Sequence, residues 1–153
     1  MRALAIVTAL ACSQVLAQEP RRNFFDDPFQ QLNHGLADCP APPGPLLTEA
    51  EARAQAHGRV ERGTSCYRAG RCRLPNSYQY DKEIMPRVQK AVDADGRFER
   101  TTSVWATGQR RWIGLQGCVS TAEEAQALEA LVRGIDDVEG VVNELVVGVP
   151  HAR

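Results

Sequence analysis

Apolar residues from position 81 onward are spaced as they are in a helix. Up to Gly96, apolar side chains stand three or four positions apart, which places them on one helical face. They are Ile84, Val88, Ala91 and Val92. Asp81 can cap the start of this helix, and Gly96 can end it. The pattern therefore predicts that a domain begins with a helix at residue 81.

Two strands joined by a turn follow this helix. Residues 102–106 (Thr-Ser-Val-Trp-Ala) favour a strand, and residues 107–109 (Thr-Gly-Gln) favour a turn. From about residue 111 to 119 the chain alternates with the period of a strand. One face of that strand carries Ile113, Leu115, Gly117 and Val119, and the other carries Trp112, Gly114, Gln116 and Cys118.

A second helix and a last strand complete the pattern. Residues 121–124 (Thr-Ala-Glu-Glu) have the form of a capping box. The buried stripe of the helix that follows consists of Ala125, Leu128, Leu131 and Val132. Residues 141–147 predict a closing strand. The order helix, strand, strand, helix, strand predicts an α+β domain with a three-stranded sheet and both helices on one face.

The second strand of this pattern resembles the strand signature of the BON domain family. Residues 113–119 (Ile-Gly-Leu-Gln-Gly-Cys-Val) follow that family's apolar-x-Leu-x-Gly-x-Val pattern before the second helix. Residues 141–147 (Val-Val-Asn-Glu-Leu-Val-Val) resemble its closing strand, and the opening helix with Asp81, Ile84 and Val88 fits as well. The resemblance implies the αββαβ order of a BON-type domain.

The resemblance covers about residues 81–148, in a single copy, and has two departures. Residues 136–138 are Asp-Asp-Val where the family commonly has a Pro-Gly-Val turn, and Cys118 is not part of the usual signature. Asp tolerates such a turn less well than Gly.

The resemblance implies a non-enzymatic module of the cell envelope. Members of the family are thought to bind phospholipid membranes or to support envelope proteins, often under osmotic or envelope stress. The family has no catalytic residue set and no residue motif for lipid contact to carry over, and we expect no metal and no cofactor. We expect a module that binds an anionic membrane surface; the alternative is a scaffold for an envelope protein, with no direct lipid binding.

The first residues have the form of a secretory signal. In residues 1–17, Arg2 precedes an apolar stretch from Ala3 to Ala11, and Ala17 is a suitable cleavage position. We expect export to the periplasm. A lipoprotein anchored at Cys12 is the alternative, because the residues before this cysteine loosely resemble a lipobox.

If the protein is exported, the four cysteines that remain after residue 17 lie in an oxidising compartment; they are Cys39, Cys66, Cys72 and Cys118. An even number of cysteines in an oxidising compartment favours disulfides. Cys66 and Cys72 enclose five residues that include Gly70, so a local bridge is plausible, and Cys39 with Cys118 follows by elimination. A metal site or free thiols are the alternatives. No histidine stands at zinc-finger spacing from these cysteines, and no C-x-x-C occurs.

Residues 18–47 show no usable period. Prolines recur in this segment, and they break helices and remove backbone donors, so we expect an extended or disordered arm. Three phenylalanines stand inside it, at Phe24, Phe25 and Phe29. We interpret them as isolated apolar residues on a mobile tail; the alternative is an anchor for a partner or for the domain itself.

Residues 48–80 predict a short helix and a cysteine loop. Thr48 and Glu51 have the spacing of a capping box, and the Ala- and Arg-rich run after them predicts a helix to about Arg62 that stops at Gly63. The loop that carries Cys66 and Cys72 follows.

The hairpin turn is the first candidate binding site. Arg110 and Arg111 precede Trp112, and two cations beside an indole suit a membrane interface or a partner that carries phosphate. Trp105 and Trp112 fall on the sheet face opposite the predicted core. Either the N-terminal arm covers them, tethered through Cys118, or they form a binding surface; we favour the cover.

The cysteine loop is the second candidate. Residues 59–73 hold five arginines against Glu61 alone, and three of these lie in or beside the loop, at Arg68, Arg71 and Arg73. Such a run is usually a solvated face. A short disulfide loop could also present it to anionic lipid or cell-wall phosphate.

Composition narrows the class of protein. The chain has 153 residues and a formal net charge of −1, which argues against a dedicated nucleic-acid binder. No apolar run reaches the roughly 18 residues needed to span a bilayer. His34, His57 and His151 have no nucleophile nearby in the sequence, and there is no phosphate loop or G-x-S-x-G motif. We therefore predict no enzymatic activity and no transmembrane segment in the mature chain.

Overall fold

Four strands form one sheet in the computed structural model, which describes residues 19–150. The strands are β1 Phe29–His34, β2 Thr102–Gln109, β3 Trp112–Val119 and β4 Gly140–Val147. The helices are α1 Glu49–Arg68, α2 Asp81–Asp95 and α3 Ala122–Arg133, and a 3₁₀ turn at Ser77–Tyr80 precedes α2. The predicted signal at residues 1–17, with Cys12, lies outside the described residues.

The sheet has the order β1-β2-β3-β4. β1 pairs antiparallel with β2, and β2 with β3, whereas β3 and β4 run parallel. A parallel pair needs a crossover, and α3 supplies it between β3 and β4. The helix, strand, strand, helix, strand order predicted from residue 81 onward is the order of α2, β2, β3, α3 and β4.

The prediction of three strands was wrong, because the N-terminal arm contributes a fourth. β1 pairs with β2 from Phe29 opposite Thr107 to His34 opposite Ser103. A register shift between Gln31 and Asn33 interrupts the alternation, and Leu32 is buried in the core at that point. This irregularity, together with the prolines around it, conceals a strand signal in the sequence.

The core lies between helices α2 and α3 and one face of the sheet. It unites apolar side chains of α2, α3 and all four strands. Its fully buried members include Ile84, Val88, Phe98, Val104, Ile113, Leu115, Val119, Leu128 and Val132. Each apolar side chain of this size contributes about 1.5–3 kcal/mol when removed from water, so this layer dominates the stability of the fold.

Helix α1 begins as predicted and ends later than predicted. Thr48 accepts from the Glu51 backbone N–H while the Glu51 carboxylate accepts from the Thr48 N–H, which is a capping box. The helix does not stop at Gly63 but continues to Arg68. Glycine at position 63 instead allows the Asn76 side chain to approach the helix backbone, because a Cβ there would lie 2.6 Å from Asn76 Oδ1.

The arm is fixed to the domain, so its interpretation as a mobile tail was wrong. Phe25 packs under the Arg59 guanidinium, whose Cζ lies 4.1 Å from the ring centroid. Phe29 packs with the residues around Trp105 on the outer face of the sheet, which is the face opposite α2 and α3. Two of the three phenylalanines thus anchor the arm to the chain's own domain.

Two disulfides are formed. Cys66 and Cys72 close the loop at the end of α1, with their Cα atoms 5.3 Å apart. Cys39 and Cys118 join the segment after β1 to the outer face of β3, with a Cα–Cα distance of 5.9 Å. Among the helices of residues 19–150, none combines the length and hydrophobicity of a membrane span.

Candidate functional site

The turn between β2 and β3 has an unusual backbone. Arg110 and Arg111 both have left-handed conformations, with φ of 58° and 68°. A two-residue hairpin turn of this kind needs positive φ at both central residues, and glycine or asparagine normally supplies it. Each arginine there costs roughly 1–2 kcal/mol of backbone strain, so other contacts must hold the turn.

A buried carboxylate holds this turn. The two Asp81 oxygens accept the backbone N–H groups of Arg110 and Arg111, each at 2.7 Å. The prediction that Asp81 caps α2 was wrong: Tyr80 occupies the cap position, without a side-chain bond, and Asp81 is the first helical residue. The start of α2 thereby fixes the geometry of a distant hairpin.

Burial raises the pKa of Asp81 from 3.8 to about 6. The hydrogen bonds from the Arg111 and Arg110 backbone act in the opposite direction, and the negative charge of Asp27 adds to the rise. Because the pKa is higher in the folded state, the folded protein binds more protons than the unfolded chain between about pH 4 and pH 6. The contribution of this carboxyl to stability therefore falls as the pH rises through that window.

We expect an Asp81→Asn variant to reveal this dependence, because asparagine does not titrate. The free energy of unfolding of the wild type, minus that of the variant, should increase by roughly 2–3 kcal/mol when the pH falls from 7 to 4. Urea denaturation of both proteins at the two pH values measures this difference. A difference that does not change with pH would show that burial leaves the Asp81 pKa unperturbed.

A groove lies beside the turn, on the outer face of the sheet. Its volume is about 510 Å³. Trp112 and Val142 of neighbouring strands lie in its lining, together with Tyr78, Arg62 and Arg110. The Trp112 ring lies over Gly140, where a Cβ would stand 2.6 Å from Cζ3 of the indole. The indole is 37% exposed and remains accessible from this groove.

A second, smaller cavity of about 270 Å³ adjoins it. Four arginines line this cavity, and we call them the arginine cluster: Arg62, Arg71, Arg110 and Arg111. Its one acidic residue, Glu139, has a carboxylate oxygen 3.8 Å from Arg111 Nη1. Within residues 19–150, the other three arginines of the cluster form no ion pair. The cavity is therefore strongly positive.

The structure brings some of the predicted site residues together and separates the others. Arg110, Arg111, Trp112 and Arg71 lie around the groove and the cavity. Arg68 is exposed at the end of α1 and lines neither of them.

Arg73 lines neither the groove nor the cavity and has its own partners. It pairs with Glu83 at 2.6 Å, and its guanidinium lies over the Tyr80 ring at 5.3 Å. These contacts occupy the Arg73 side chain in holding the loop to α2.

The two tryptophans have different environments. Trp105 is only 8% exposed and packs with the Cys39–Cys118 disulfide, Phe29 and Leu36. The segment after β1 therefore covers the part of the outer face around Trp105 and Cys118, whereas Trp112, next to the hairpin turn, remains accessible.

Sequence reasoning missed Arg62 as a site residue. The prediction ended the helix at Gly63, so this arginine was assigned only to a generally basic run. The continuation of α1 places Arg62 between the groove and the cavity, where it lines both. Its position one helical turn after Arg59 was the only local signal.

The fold and this site define a small α+β domain with a positively charged hairpin end. Residues 80–149 match the family model of the BON domain in a single copy, as the resemblance in the sequence predicted. BON domains are known in envelope and periplasmic proteins, and the family is generally non-enzymatic. No curated protein matches the chain. β1 and α1 lie outside the matched region.

Proposed function

We propose that this protein is an exported, non-enzymatic envelope module that binds anionic phospholipid surfaces through the arginine cluster and Trp112. One observation carries the proposal: Arg62, Arg71 and Arg110 converge beside the partly exposed Trp112, and none of the three forms an ion pair within residues 19–150. A guanidinium group can donate hydrogen bonds to two oxygens of one phosphate, and tryptophan is enriched at the level of the lipid headgroups. Binding there would support envelope integrity under stress.

The charge distribution supports an electrostatic mode of binding. The whole chain has a formal net charge of −1, so its attraction to an anionic surface depends on local concentration of positive charge. Each basic residue near such a surface contributes about 1 kcal/mol at physiological ionic strength, and the contribution decays within a Debye length. Binding should therefore be steeply sensitive to salt.

We expect an Arg62→Gln/Arg71→Gln/Arg110→Gln variant to bind vesicles of phosphatidylglycerol and phosphatidylcholine at least 10-fold more weakly than the wild type. Co-sedimentation of the oxidised mature protein at low and high salt measures this, with phosphatidylcholine vesicles as the neutral reference. Arg53→Gln/Arg97→Gln/Arg133→Gln is the matched control, because it removes the same charge from exposed arginines that pair with acidic residues elsewhere. Equal losses in the two variants would exclude the cluster as the site.

A protein partner is the second candidate function, and exposed valines on β4 favour it. Val142, Val146 and Val147 are exposed on the strand that forms one edge of the sheet. An apolar interface of this kind is insensitive to salt, in contrast to binding through arginines. If the protein fails to pellet with anionic vesicles under any salt condition, this second function becomes the better supported one.

A further inference from the structure

The two disulfides differ in their access to solvent. Cys39 and Cys118 are 7% and 1% exposed and lie in the covered part of the outer face, with Trp105. Cys66 and Cys72 are both half-buried, in a loop at the surface. The second disulfide is therefore the more accessible of the two to reagents in solution.

The sulfurs of Cys66 and Cys72 also differ from each other. Cys66 lines the 270 Å³ cavity together with the arginine cluster. Cys72 packs against the apolar core instead. Arg111 Nη1 donates toward both sulfurs, at 3.4 Å from Cys72 Sγ and 3.7 Å from Cys66 Sγ.

This arrangement matches what thiol–disulfide exchange requires. The attacking thiolate must reach one sulfur, and the other sulfur must leave as a thiolate. A neighbouring guanidinium stabilises a thiolate, and a stabilised thiolate leaves faster. Cys66 is the sulfur that a thiolate in the cavity can attack. Cys72 is the better leaving group, because the Arg111 guanidinium lies closer to its sulfur than to that of Cys66.

We propose that Cys66–Cys72 is an exchange-active disulfide that reacts with small anionic thiols bound in the cavity of the arginine cluster. The thiolate of a carboxylate- or sulfonate-bearing thiol attacks Cys66 Sγ. A new S–S bond forms to Cys66, the Cys66–Cys72 bond breaks, and its electron pair leaves on Cys72 Sγ beside Arg111. A second molecule of the thiol then attacks the mixed disulfide, which releases the oxidised thiol and leaves both cysteines reduced.

The preference for anionic thiols follows from the lining of the cavity. Four arginines and one glutamate line it, together with Ser65 and Ser77, so its formal charge is strongly positive. A positive cavity raises the local concentration of an anionic reagent and so its rate of reaction, by about 10-fold or more. This site goes beyond lipid binding, although it uses some of the same arginines.

Reduction by three thiols of similar size tests the proposal: 2-mercaptoethanesulfonate (anionic), 2-mercaptoethanol (neutral) and cysteamine (cationic). We expect the anionic thiolate to open Cys66–Cys72 at least 10-fold faster than the cationic one, with rates expressed per thiolate. After acid quench and alkylation, peptide mapping should find mercaptoethanesulfonate on Cys66 and the alkyl group on Cys72. Cys39–Cys118 should remain intact under these conditions.

Charge variants on the loop provide the matched control. Arg71→Gln removes a charge that lines the cavity and should lower the anionic preference several-fold. Arg68→Gln removes the same charge from the same loop outside the cavity and should leave the preference unchanged. Equal rates for the anionic and cationic thiols, the reagent on Cys72, or equally fast opening of Cys39–Cys118 would each overturn the proposal. Because the assay contains no lipid, its outcome is independent of vesicle binding.

Discussion

Replacement of Gly117 by alanine is expected to lower the free energy of unfolding by at least about 3 kcal/mol, a large share of the roughly 5–15 kcal/mol that is typical of a folded domain. Gly117 has a φ of +127°, and a Cβ there would lie 2.1 Å from the Ser103 carbonyl oxygen on β2. An L-residue in that conformation costs about 1–3 kcal/mol. The overlap with backbone adds to this cost, because the strands must separate to relieve it.

Gly114 in the same strand provides the control. A Cβ at Gly114 would have no neighbour closer than 3.9 Å, from Thr107 on β2. Gly114→Ala should therefore change the free energy of unfolding by less than about 1 kcal/mol, in the stabilising direction if at all. Urea denaturation of both variants measures the contrast, and similar values for the two would show that β2 yields at Ser103.

Replacement of Arg59 by methionine should cost about 3–5 kcal/mol of stability, the usual result of leaving a buried partner charge uncompensated. Arg59 and Asp27 form a two-point ion pair, with both side chains more than nine-tenths buried. The guanidinium also lies between two rings, with its Cζ 4.1 Å from the Phe25 centroid and 3.9 Å from that of Tyr78. In the variant the buried Asp27 carboxylate loses its counter-charge and keeps one side-chain hydrogen bond, from the Gln109 amide.

A double-mutant cycle separates the pair from the packing. Asp27→Asn in the Arg59→Met background removes the orphaned charge, so the double variant should lose less than the sum of the two single losses. Arg62→Met, one helical turn later and exposed, should change stability by less than about 0.5 kcal/mol. A loss for Arg59→Met no larger than for Arg62→Met would show that water reaches Asp27 readily.

The fold could be predicted from the sequence where local periodicity determines it. The helices and strands from residue 81 onward follow from alternation, apolar stripes and the capping box at Thr121. β1 could not be predicted, because its bulge interrupts the alternation and its role depends on pairing with β2, far along the chain. The predicted end of α1 was wrong for a related reason. In the sequence Gly63 is a stop signal, but in the structure it lies inside the helix, where it allows close contact with Asn76.

The candidate site was predictable in part. Arg110, Arg111 and Trp112 are adjacent in the sequence, so their chemistry could be recognised without a structure. Which tryptophan stays accessible depends on the path of the arm, and no local pattern determines that. The role of Asp81 rests on hydrogen bonds to residues about 30 positions away, which sequence spacing does not reveal.

The edge strand β1 has a consequence for the boundaries of the folding unit. The match to the family model begins at residue 80, but three stabilising features lie before it. β1 completes the sheet, the segment with Cys39 covers Trp105, and the Arg59–Asp27 pair holds α1. A fragment cut at the family boundary would expose the unpaired edge of β2 and an unpaired thiol at Cys118 on the same surface. Such an edge pairs readily with other chains. The N-terminal segment thus protects the edge of the sheet from such pairing, and the structural unit, residues 19–150, is almost twice as long as the matched region 80–149.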